Sequence, residues 1–277
     1  MKKLLLLAVM LGGLYFTQAQ QLRTPAPSPS QNIKQEFGLS NIELSYSRPA
    51  KKGRDIFGDL VPYGKIWRTG ANNATNITFG DDVIIGGTTV KAGKYGLLTI
   101  PGASEWTIII SKQTDVTGPA DYKQDMDAVR VTSPAQSLPF AVENFTIDFG
   151  NISSNNCELW LYWDQTFVTL PIKTEIDSRV MTQIDNLMNK DNKPYFGAAM
   201  YYMDNGKDLN KALEWFDKAI TQNPNAFWVW HQKANCLAKL GKKQDAIVSA
   251  KKSIELATAA KNNDYVELNN KLLKTLN

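Results

Sequence analysis

The chain has 277 residues, with 31 lysine and arginine side chains against 27 aspartate and glutamate side chains, which gives a net charge of +4 at pH 7. Residues 20–180 carry a net charge of −2 and residues 181–277 a net charge of +4. These values are too small for the basic face that nucleic-acid binding requires, so we expect no nucleic-acid partner. The length is sufficient for two domains with sizeable cores.

The first 19 residues have the pattern of a secretion signal. Lys2 and Lys3 precede an apolar run over residues 4–16, and Thr17-Gln18-Ala19 forms a small-x-small cleavage site. The run is shorter than the ~20 residues that span a bilayer, so we expect cleavage and no transmembrane span in the mature protein. The sequence therefore predicts an exported protein, either periplasmic or secreted.

A flexible leader and a β domain are predicted next. Residues 20–32 hold Pro25, Pro27 and Pro29 among small polar residues, which is typical of a flexible segment. Residues 33–173 contain short stretches of alternating apolar and polar side chains without a helical pattern, so we predict an antiparallel all-β sandwich. The predicted strands lie at residues 42–46, 76–79, 83–85, 88–90, 95–100, 106–110, 128–131, 145–149, 157–163 and 166–172.

Two tight turns are predicted within the β domain. Gly86-Gly87 lies between two apolar stretches and favours a hairpin, because glycine adopts the positive φ angles of two-residue turns. Asp164-Gln165 lies between the last two predicted strands and indicates a second tight turn.

The apolar period changes from two residues to about 3.6 behind the last predicted strand. Ile176, Val180, Ile184 and Leu187 recur at helical spacing, which predicts a connecting helix within residues 174–192.

Residues 193–277 contain a repeat. Ala212 and Ala246 are separated by the tetratricopeptide period, in which each unit is a pair of antiparallel helices. We predict an all-α domain of two tetratricopeptide-like repeats, the first with one extra residue in its inter-helix turn, and a closing helix over residues 265–276. Cys157 and Cys236 fall in different predicted domains, and the sequence leaves open whether they form a disulfide or remain buried thiols.

Residues 45–72 combine arginine and aromatic residues with many glycines and prolines, which is typical of a backbone shaped to present polar groups. The candidate ligand-binding residues are Arg48, Arg54, Tyr63, Trp67, Arg68 and Asn72. In one interpretation the arginines hold a carboxylate, phosphate or acidic sugar, with the rings as apolar surface and the amide as a directional partner. In the other, the arginines pair with Asp55, Asp59 or carbonyl groups and fix a long loop across the sandwich, with the aromatic side chains in the core.

Other catalytic and metal-binding patterns are weak. His231 is the only histidine in the sequence, so the β domain cannot form a Ser-His-Asp triad or a histidine metal site. Asp121, Asp125 and Asp127 could hold a hard cation, but their spacing differs from that of a calcium-binding helix-loop-helix. We therefore expect solvated loop charge there, and we predict no metal site and no cofactor.

Several motifs of the β domain form a longer signature. They are Ser45-Tyr46-Ser47-Arg48-Pro49, Gly53-Arg54-Asp55-Ile56-Phe57-Gly58, the segments 60–63 and 67–72, Ala92-Gly93-Lys94-Tyr95, Thr99-Ile100-Pro101, Trp106 and Val129-Arg130-Val131. This signature resembles the family called domain of unknown function 2911 over about residues 25–175. The resemblance implies an exported bacterial protein, often with tetratricopeptide-like repeats behind the domain. Residues 117–120 depart from it, since a tryptophan-glycine pair is expected before Tyr122. The family has no established activity, so the resemblance implies no mechanism.

The first helices of the predicted repeats would line a concave groove. The candidate protein-interaction residues on this face are Phe196, Met200, Met203, Trp228, His231 and Asn235. A groove of methionine and aromatic side chains with basic edges such as Lys193 suits an extended peptide. The sequence leaves open whether this face instead packs against the sandwich or the connecting helix.

The preferred function is that of a non-enzymatic binding and assembly module. We expect a protein or peptide partner on the helical repeats and a small acidic or carbohydrate ligand on the sandwich. The alternative is an enzyme whose arginine-rich loop holds an acidic or carbohydrate substrate, with Asp55 or Asp59 as acid or base.

Overall fold

The computed structural model of the protein describes residues 24–276. The predicted signal and the start of the leader, residues 1–23, lie outside the described residues, as does Asn277. The chain divides into two compact units between Glu175 and Ile176. A β domain with two antiparallel sheets is followed by a helical repeat domain, which confirms the predicted fold class. No helix within residues 24–276 is long and apolar enough to cross a membrane.

Ten strands are described in the β domain. They are β1 (Ser30–Phe37), β2 (Ser40–Ser47), β3 (Asn76–Phe79), β4 (Val83–Ile85), β5 (Thr88–Val90), β6 (Gly93–Ile100), β7 (Glu105–Ser111), β8 (Asp127–Pro134), β9 (Gln136–Gly150) and β10 (Asn156–Lys173). The first sheet has the order β1-β2-β3-β6-β7-β8 and the second has the order β5-β4-β10-β9. Gly86 and Gly87, at φ +56° and +79°, join the β4–β5 hairpin as predicted.

The inner faces of the two sheets form one hydrophobic core. On β2, Ile42, Leu44 and Tyr46 are buried, while Glu43 and Ser45 between them are exposed. The second sheet contributes alternate residues of β9 and β10 in the same way. This period of two places one face of each strand in the core and leaves the other face for solvent or for covering loops.

The turn predicted at Asp164-Gln165 is wrong. Strand β10 continues through this point, and its pairing with β9 shifts register twice around Asp164. Asp164 has φ +51°, and its carboxylate accepts a hydrogen bond from Lys51 Nζ at 2.6 Å. A polar residue with positive φ fits a β-bulge as well as a turn, so the local residue preferences could not separate the two.

Strand β1 begins within the segment predicted as the leader. It pairs with β2 over its whole length, from Ser30 opposite Ser47 to Phe37 opposite Ser40. Phe37 is the one fully buried residue of the strand. The apolar alternation on which strand prediction depends is therefore weak in β1, and backbone pairing at the sheet edge defines it instead.

Six helices are described in the second unit. They are α1 (Asp177–Met188), α2 (Tyr195–Asp204), α3 (Leu209–Gln222), α4 (Phe227–Lys239), α5 (Lys243–Ala259) and α6 (Asn263–Leu276). The pairs α2–α3 and α4–α5 are the two predicted repeats. The turn at 205–208 is one residue longer than the turn at 240–242, as the repeat spacing predicts. Each turn contains a glycine with positive φ, Gly206 and Gly241.

The two cysteines are buried free thiols in different units. Burial raises the pKa of Cys157 to about 12 and also raises the pKa of Cys236. Both thiols therefore stay protonated near neutral pH and behave as small apolar side chains.

Candidate functional site

The arginine-rich stretch, residues 45–72, joins the two sheets of the β domain. On the second sheet, the N–H of Phe145 in β9 donates to the carbonyl of Pro49 at 2.9 Å. On the first sheet, Trp67 and Thr99 exchange two backbone hydrogen bonds of 2.8 and 3.0 Å. The stretch therefore extends both sheets and ties them together.

The side chain of Trp67 lies in an aromatic cluster between the sheets. Its ring centroid is 4.9 Å from that of Phe145 and 6.2 Å from that of Trp163, on which it stacks with an interplanar angle of 17°. Phe57, from the same stretch, packs edge-on against Trp106 with centroids 4.8 Å apart. Trp67 is half-buried and packs against the core, which is the position that the second interpretation of the stretch expects.

Arg48 is bound to strand β9. Its Nε donates to the carbonyl of Phe145 at 3.1 Å, and its Nη2 donates to Thr146 Oγ1 at 2.6 Å. Its backbone N–H donates to the carbonyl of Pro29 at 2.9 Å, so the same residue also holds the end of the leader. The hydrogen bonds of the half-buried guanidinium therefore attach the stretch to the second sheet.

Arg54 and Arg68 also donate to backbone carbonyl groups. Arg54 is exposed, and its guanidinium donates to the carbonyls of Lys51 at 3.0 Å and Ala50 at 2.5 Å, which closes its own turn. Arg68 Nη1 donates to the carbonyl of Thr117, while its buried Nε has no hydrogen-bond partner among the described residues. The three arginines of the stretch therefore bind three different parts of the backbone.

Tyr63 and Asn72 lie at the surface. Tyr63 is 45% exposed, and its ring covers Gly58, where a Cβ would lie 2.8 Å from the ring. Asn72 has φ +58°, and its Nδ2 donates to the carbonyl of Ser28 at 3.1 Å. Of the six predicted ligand-binding residues, Trp67 and Arg48 contact the same residue, Phe145. The other four each contact a different part of the domain.

The backbone of the stretch is held in a rare conformation at Thr69. This fully buried, β-branched residue has φ +55°. Its carbonyl accepts a hydrogen bond from Thr75 Oγ1 at 2.7 Å, and its hydroxyl lies 3.1 Å from the hydroxyl of Thr99. Such a conformation costs about 1–3 kcal/mol and persists only where the surroundings define it fully, so the stretch is a rigid part of the domain.

The predicted acidic loop is divided among different partners. Asp127 has a side chain that is 6% exposed, and it accepts a hydrogen bond from the hydroxyl of Tyr122 and lies 3.7 Å from Arg130 Nε. Burial raises the pKa of Asp127, and burial together with the bond to Asp127 raises the pKa of Tyr122. Asp121 instead accepts from Thr117 Oγ1 at 3.2 Å. No group of three or more His, Cys, Asp or Glu residues within 24–276 could hold a metal ion.

The residues predicted for the concave groove have different environments. Met203 is buried, and Phe196 and Met200 are half-buried against the core of the helical unit. His231 is buried, with Nδ1 2.9 Å from Asn269 Oδ1 and Nε2 3.1 Å from Asn235 Nδ2. Trp228, at 36% exposure, is the most accessible of the six candidates, and Asn235 is half-buried like Phe196 and Met200. A peptide on this face would therefore meet Trp228 and the half-buried side chains rather than His231, whose two ring nitrogens are occupied.

A second concave surface lies between the two repeats. We name it the inter-repeat cleft; it has a volume of about 400 Å³, and its lining comes from helices α3, α4 and α5. Trp230 and Val248 supply apolar surface, and Val248 is 65% exposed. Trp230 is two residues from Trp228, which is about 200° around a helix. The cleft therefore opens on the opposite side of α4 from the predicted groove.

The comparison with known families bears on both units. A family model described as "Protein of unknown function (DUF2911)" matches residues 28–172, which is more than half of the chain. The chain belongs to the DUF2911 family. A tetratricopeptide repeat model matches residues 215–248, from α3 into α5. Both resemblances stated from the sequence are thereby confirmed. No curated protein matches the chain.

The inter-repeat cleft of this DUF2911 protein was not among the sequence-predicted sites. Its lining residues, such as Leu213, Trp230 and Leu237, occupy positions that the repeat pattern assigns to the packing of neighbouring helices. Val248 was the one residue in the sequence that could have indicated the cleft. It is an apolar residue on the outer side of a repeat helix, where packing of the core does not require one.

Arg48→Ala is expected to lower the free energy of unfolding of the DUF2911 domain by about 2 kcal/mol, because two side-chain hydrogen bonds from a charged group to β9 are lost. Arg54→Ala removes the same charge from an exposed turn and should stay within about 0.5 kcal/mol of the unaltered chain. Hydrogen exchange of the β9 amides in the full chain measures both effects. Equal protection in the two variants would contradict the role assigned to Arg48.

Proposed function

We propose that this DUF2911 protein is an exported binding and assembly module that holds a protein partner through its helical repeats. Tetratricopeptide repeats are elements used for contacts between proteins, and the chain contains such a repeat. Export is inferred from the secretion-signal pattern of residues 1–19. The observation that carries the proposal is the inter-repeat cleft with its exposed Val248.

The cleft combines an apolar floor with charged edges. Trp230 is held in place by a hydrogen bond from its Nε1 to the carbonyl of Pro224 at 3.1 Å. Lys233 Nζ lies 5.2 Å from the ring centroid of Trp230 and 2.7 Å from Asp217 Oδ1. An apolar side chain of a partner could pack between Trp230 and Val248, while the charged groups at the edges select its neighbours.

The charge of the second repeat favours an acidic partner. The second repeat, residues 227–259, holds six lysines against two carboxylates, an excess of four positive charges. The lining of the cleft itself is balanced, with Lys233 and Lys242 against Asp217 and Asp245. Lys233 pairs with Asp217 at 2.7 Å, so the positive excess lies on the lysines around the cleft. The partner that fits is therefore an extended peptide segment with one large apolar residue flanked by acidic residues.

The enzyme alternative takes second place. Asp55 and Asp59, its candidate acid and base, are exposed loop residues. The arginines of the same stretch donate hydrogen bonds to carbonyl groups of the domain. These guanidinium groups are the ones that would have held an acidic substrate.

Selection of displayed random peptides on the full chain tests the proposal. We expect enrichment of peptides with an apolar residue next to acidic residues, and we expect Val248→Glu to weaken their binding about tenfold or more, because it places a carboxylate on the apolar floor. Thr258→Glu is the matched control, since it adds the same charge at an exposed position of the same helix. Enriched peptides that bind Val248→Glu and Thr258→Glu equally well would refute the cleft as the binding site.

A further inference from the structure

A second cleft crosses the outer face of the first sheet, on the side away from the core. We name it the sheet cleft; it has a volume of about 460 Å³ and runs over strands β1, β2, β3 and β6. The register of these strands aligns two rows of polar side chains along the floor. One row is Asn32, Ser45 and Asn76. The other row is Lys34, Glu43, Thr78 and Lys94.

These side chains face outwards because their neighbours along each strand face the core. On β3, Ile77 is fully buried, whereas Asn76 and Thr78 on either side are only half-buried. Adjacent strands are about 4.8 Å apart, and successive side chains on one face are about 6.8 Å apart. The floor is therefore a two-dimensional array of amide, hydroxyl and charged groups rather than an apolar patch.

The segment after β7 passes over strand β6 next to the sheet cleft. It crosses strand β6 so closely that a Cβ on Gly96 would lie 2.1 Å from the carbonyl oxygen of Gln113. The Gln113 side chain holds this crossing, since its Nε2 donates to the carbonyl of Asp121 at 2.9 Å and its Oε1 accepts from the N–H of Lys123 at 2.7 Å. Gly96 is the register partner of Asn76, so this crossing lies beside the row of Asn32, Ser45 and Asn76.

The polar groups of the sheet cleft are not fully used within the protein. Asn76 Nδ2 donates to the carbonyl of Ala74 at 2.9 Å, but the buried Asn76 Oδ1 has no hydrogen-bond partner within residues 24–276. Lys34 pairs with Glu43 at 3.0 Å, whereas the exposed Lys94 forms no ion pair with any described residue. Asn76 Oδ1 is buried and out of reach of a ligand, so what the sheet cleft keeps available is the positive charge of the exposed Lys94.

We propose that the sheet cleft binds an acidic saccharide. The hydroxyl groups of the sugar would bind the row of Asn32, Ser45 and Asn76, and a carboxylate of the sugar would pair with Lys94. Uncharged hydroxyl groups match the amide and hydroxyl floor, and a single negative charge balances the cation that has no partner. The volume lies within the range of about 300–1,000 Å³ that is usual for ligand sites.

The site lies in the β domain and shares no residue with the partner surface proposed for the helical repeats, and Ser45 is the one lining residue that it shares with the arginine-rich stretch. Lys94 belongs to the Ala92-Gly93-Lys94-Tyr95 motif, in which Tyr95 is buried in the core and Lys94 faces the sheet cleft. The motif thus holds a core residue and a cleft residue side by side, because neighbouring residues of a strand point to opposite faces.

Isothermal titration of the full chain with a panel of hexuronate oligomers tests the proposal. The neutral hexose oligomers of equal length are the matched ligands, and acetate is the control for the carboxylate alone. We expect at least one hexuronate oligomer to bind, and we expect Lys94→Gln to weaken its binding about tenfold. Ser45→Ala, which removes an exposed hydroxyl from the row that would bind the sugar, should weaken binding by a smaller factor. Lys251→Gln removes an exposed lysine from the helical unit and should leave binding unchanged.

Four outcomes would overturn the inference. They are the absence of binding by any hexuronate oligomer, equal binding of the hexuronate and its neutral counterpart, unchanged binding by Lys94→Gln, and binding of acetate as tight as that of the oligomer. None of these results depends on whether the helical repeats hold a protein partner.

Discussion

Trp67→Ala is expected to lower the free energy of unfolding of the DUF2911 domain by about 4 kcal/mol, the largest effect that we expect from a single residue of the arginine-rich stretch. The substitution leaves a cavity among Phe145, Trp163 and Phe57, whose rings surround the indole. It also removes the hydrogen bond from Nε1 to the carbonyl of Gly70. Urea unfolding of the full chain, followed by near-ultraviolet circular dichroism of the stacked indoles, measures the change.

Tyr63→Ala is the control for this prediction. It removes an aromatic ring from the same stretch, but the ring is 45% exposed, so the expected cost is below about 1 kcal/mol. Similar costs for the two variants would mean that the indole of Trp67 does not occupy the core position described for it.

Asn269→Ala is expected to destabilise the helical unit by about 3 kcal/mol. Asn269 is completely buried in α6; its Oδ1 pairs with His231 Nδ1 at 2.9 Å, and its Nδ2 donates to Ser253 Oγ at 2.9 Å. Because an amide oxygen only accepts, His231 carries its proton on Nδ1. Ser253 in turn donates to the carbonyl of Phe227 at 2.7 Å. Alanine would leave His231 Nδ1 without its acceptor and would remove the hydrogen bond that Ser253 Oγ accepts from Asn269.

Circular dichroism at 222 nm during urea unfolding measures this effect, since the α-helices of the described chain all follow residue 176. The neighbouring Asn270→Ala is the control, because Asn270 is exposed on the same helix. If the two variants unfolded at the same urea concentration, the network of His231 and Asn269 would not be what holds α6 to the repeats.

The periodic parts of the fold could be predicted from the sequence because each has a local physical cause. Gly86-Gly87 gave the β4–β5 hairpin, since glycine accepts both positive φ angles of the turn. The spacing of Ala212 and Ala246 gave the paired helices, since both are fully buried where helices approach closely.

Features set by contacts between distant segments could not be predicted. Asp164 looks like a turn residue, but Lys51, 113 positions away, binds its carboxylate within a bulge. Strand β1 has one fully buried residue, so its pairing with β2 had no clear pattern. The partners of Arg48 lie 97 and 98 residues away, and the spacing of the arginines therefore could not show whether they face a ligand or the protein.

The candidate sites, too, could be predicted only as far as local sequence patterns determine them. The sequence indicated that residues 45–72 form a polar network or a site, and the structure gives each arginine a carbonyl partner. The sheet cleft depends on the alignment of Asn32, Ser45 and Asn76 across three strands, a register that only the folded sheet provides. On this account the arginine-rich stretch holds the DUF2911 domain together, and binding occurs at the two clefts.

A thermal-shift screen of acidic sugars, organic acids and phosphorylated compounds on the unaltered chain and on Arg48→Ala separates a structural from a ligand-binding role of the arginine-rich stretch. We expect a lower melting temperature for Arg48→Ala in the absence of ligand. We also expect at least one acidic sugar to stabilise both proteins, by the same increment in each. A compound that stabilises the unaltered chain but not Arg48→Ala, with the variant's own melting temperature unchanged, would instead make the arginine-rich stretch the binding site.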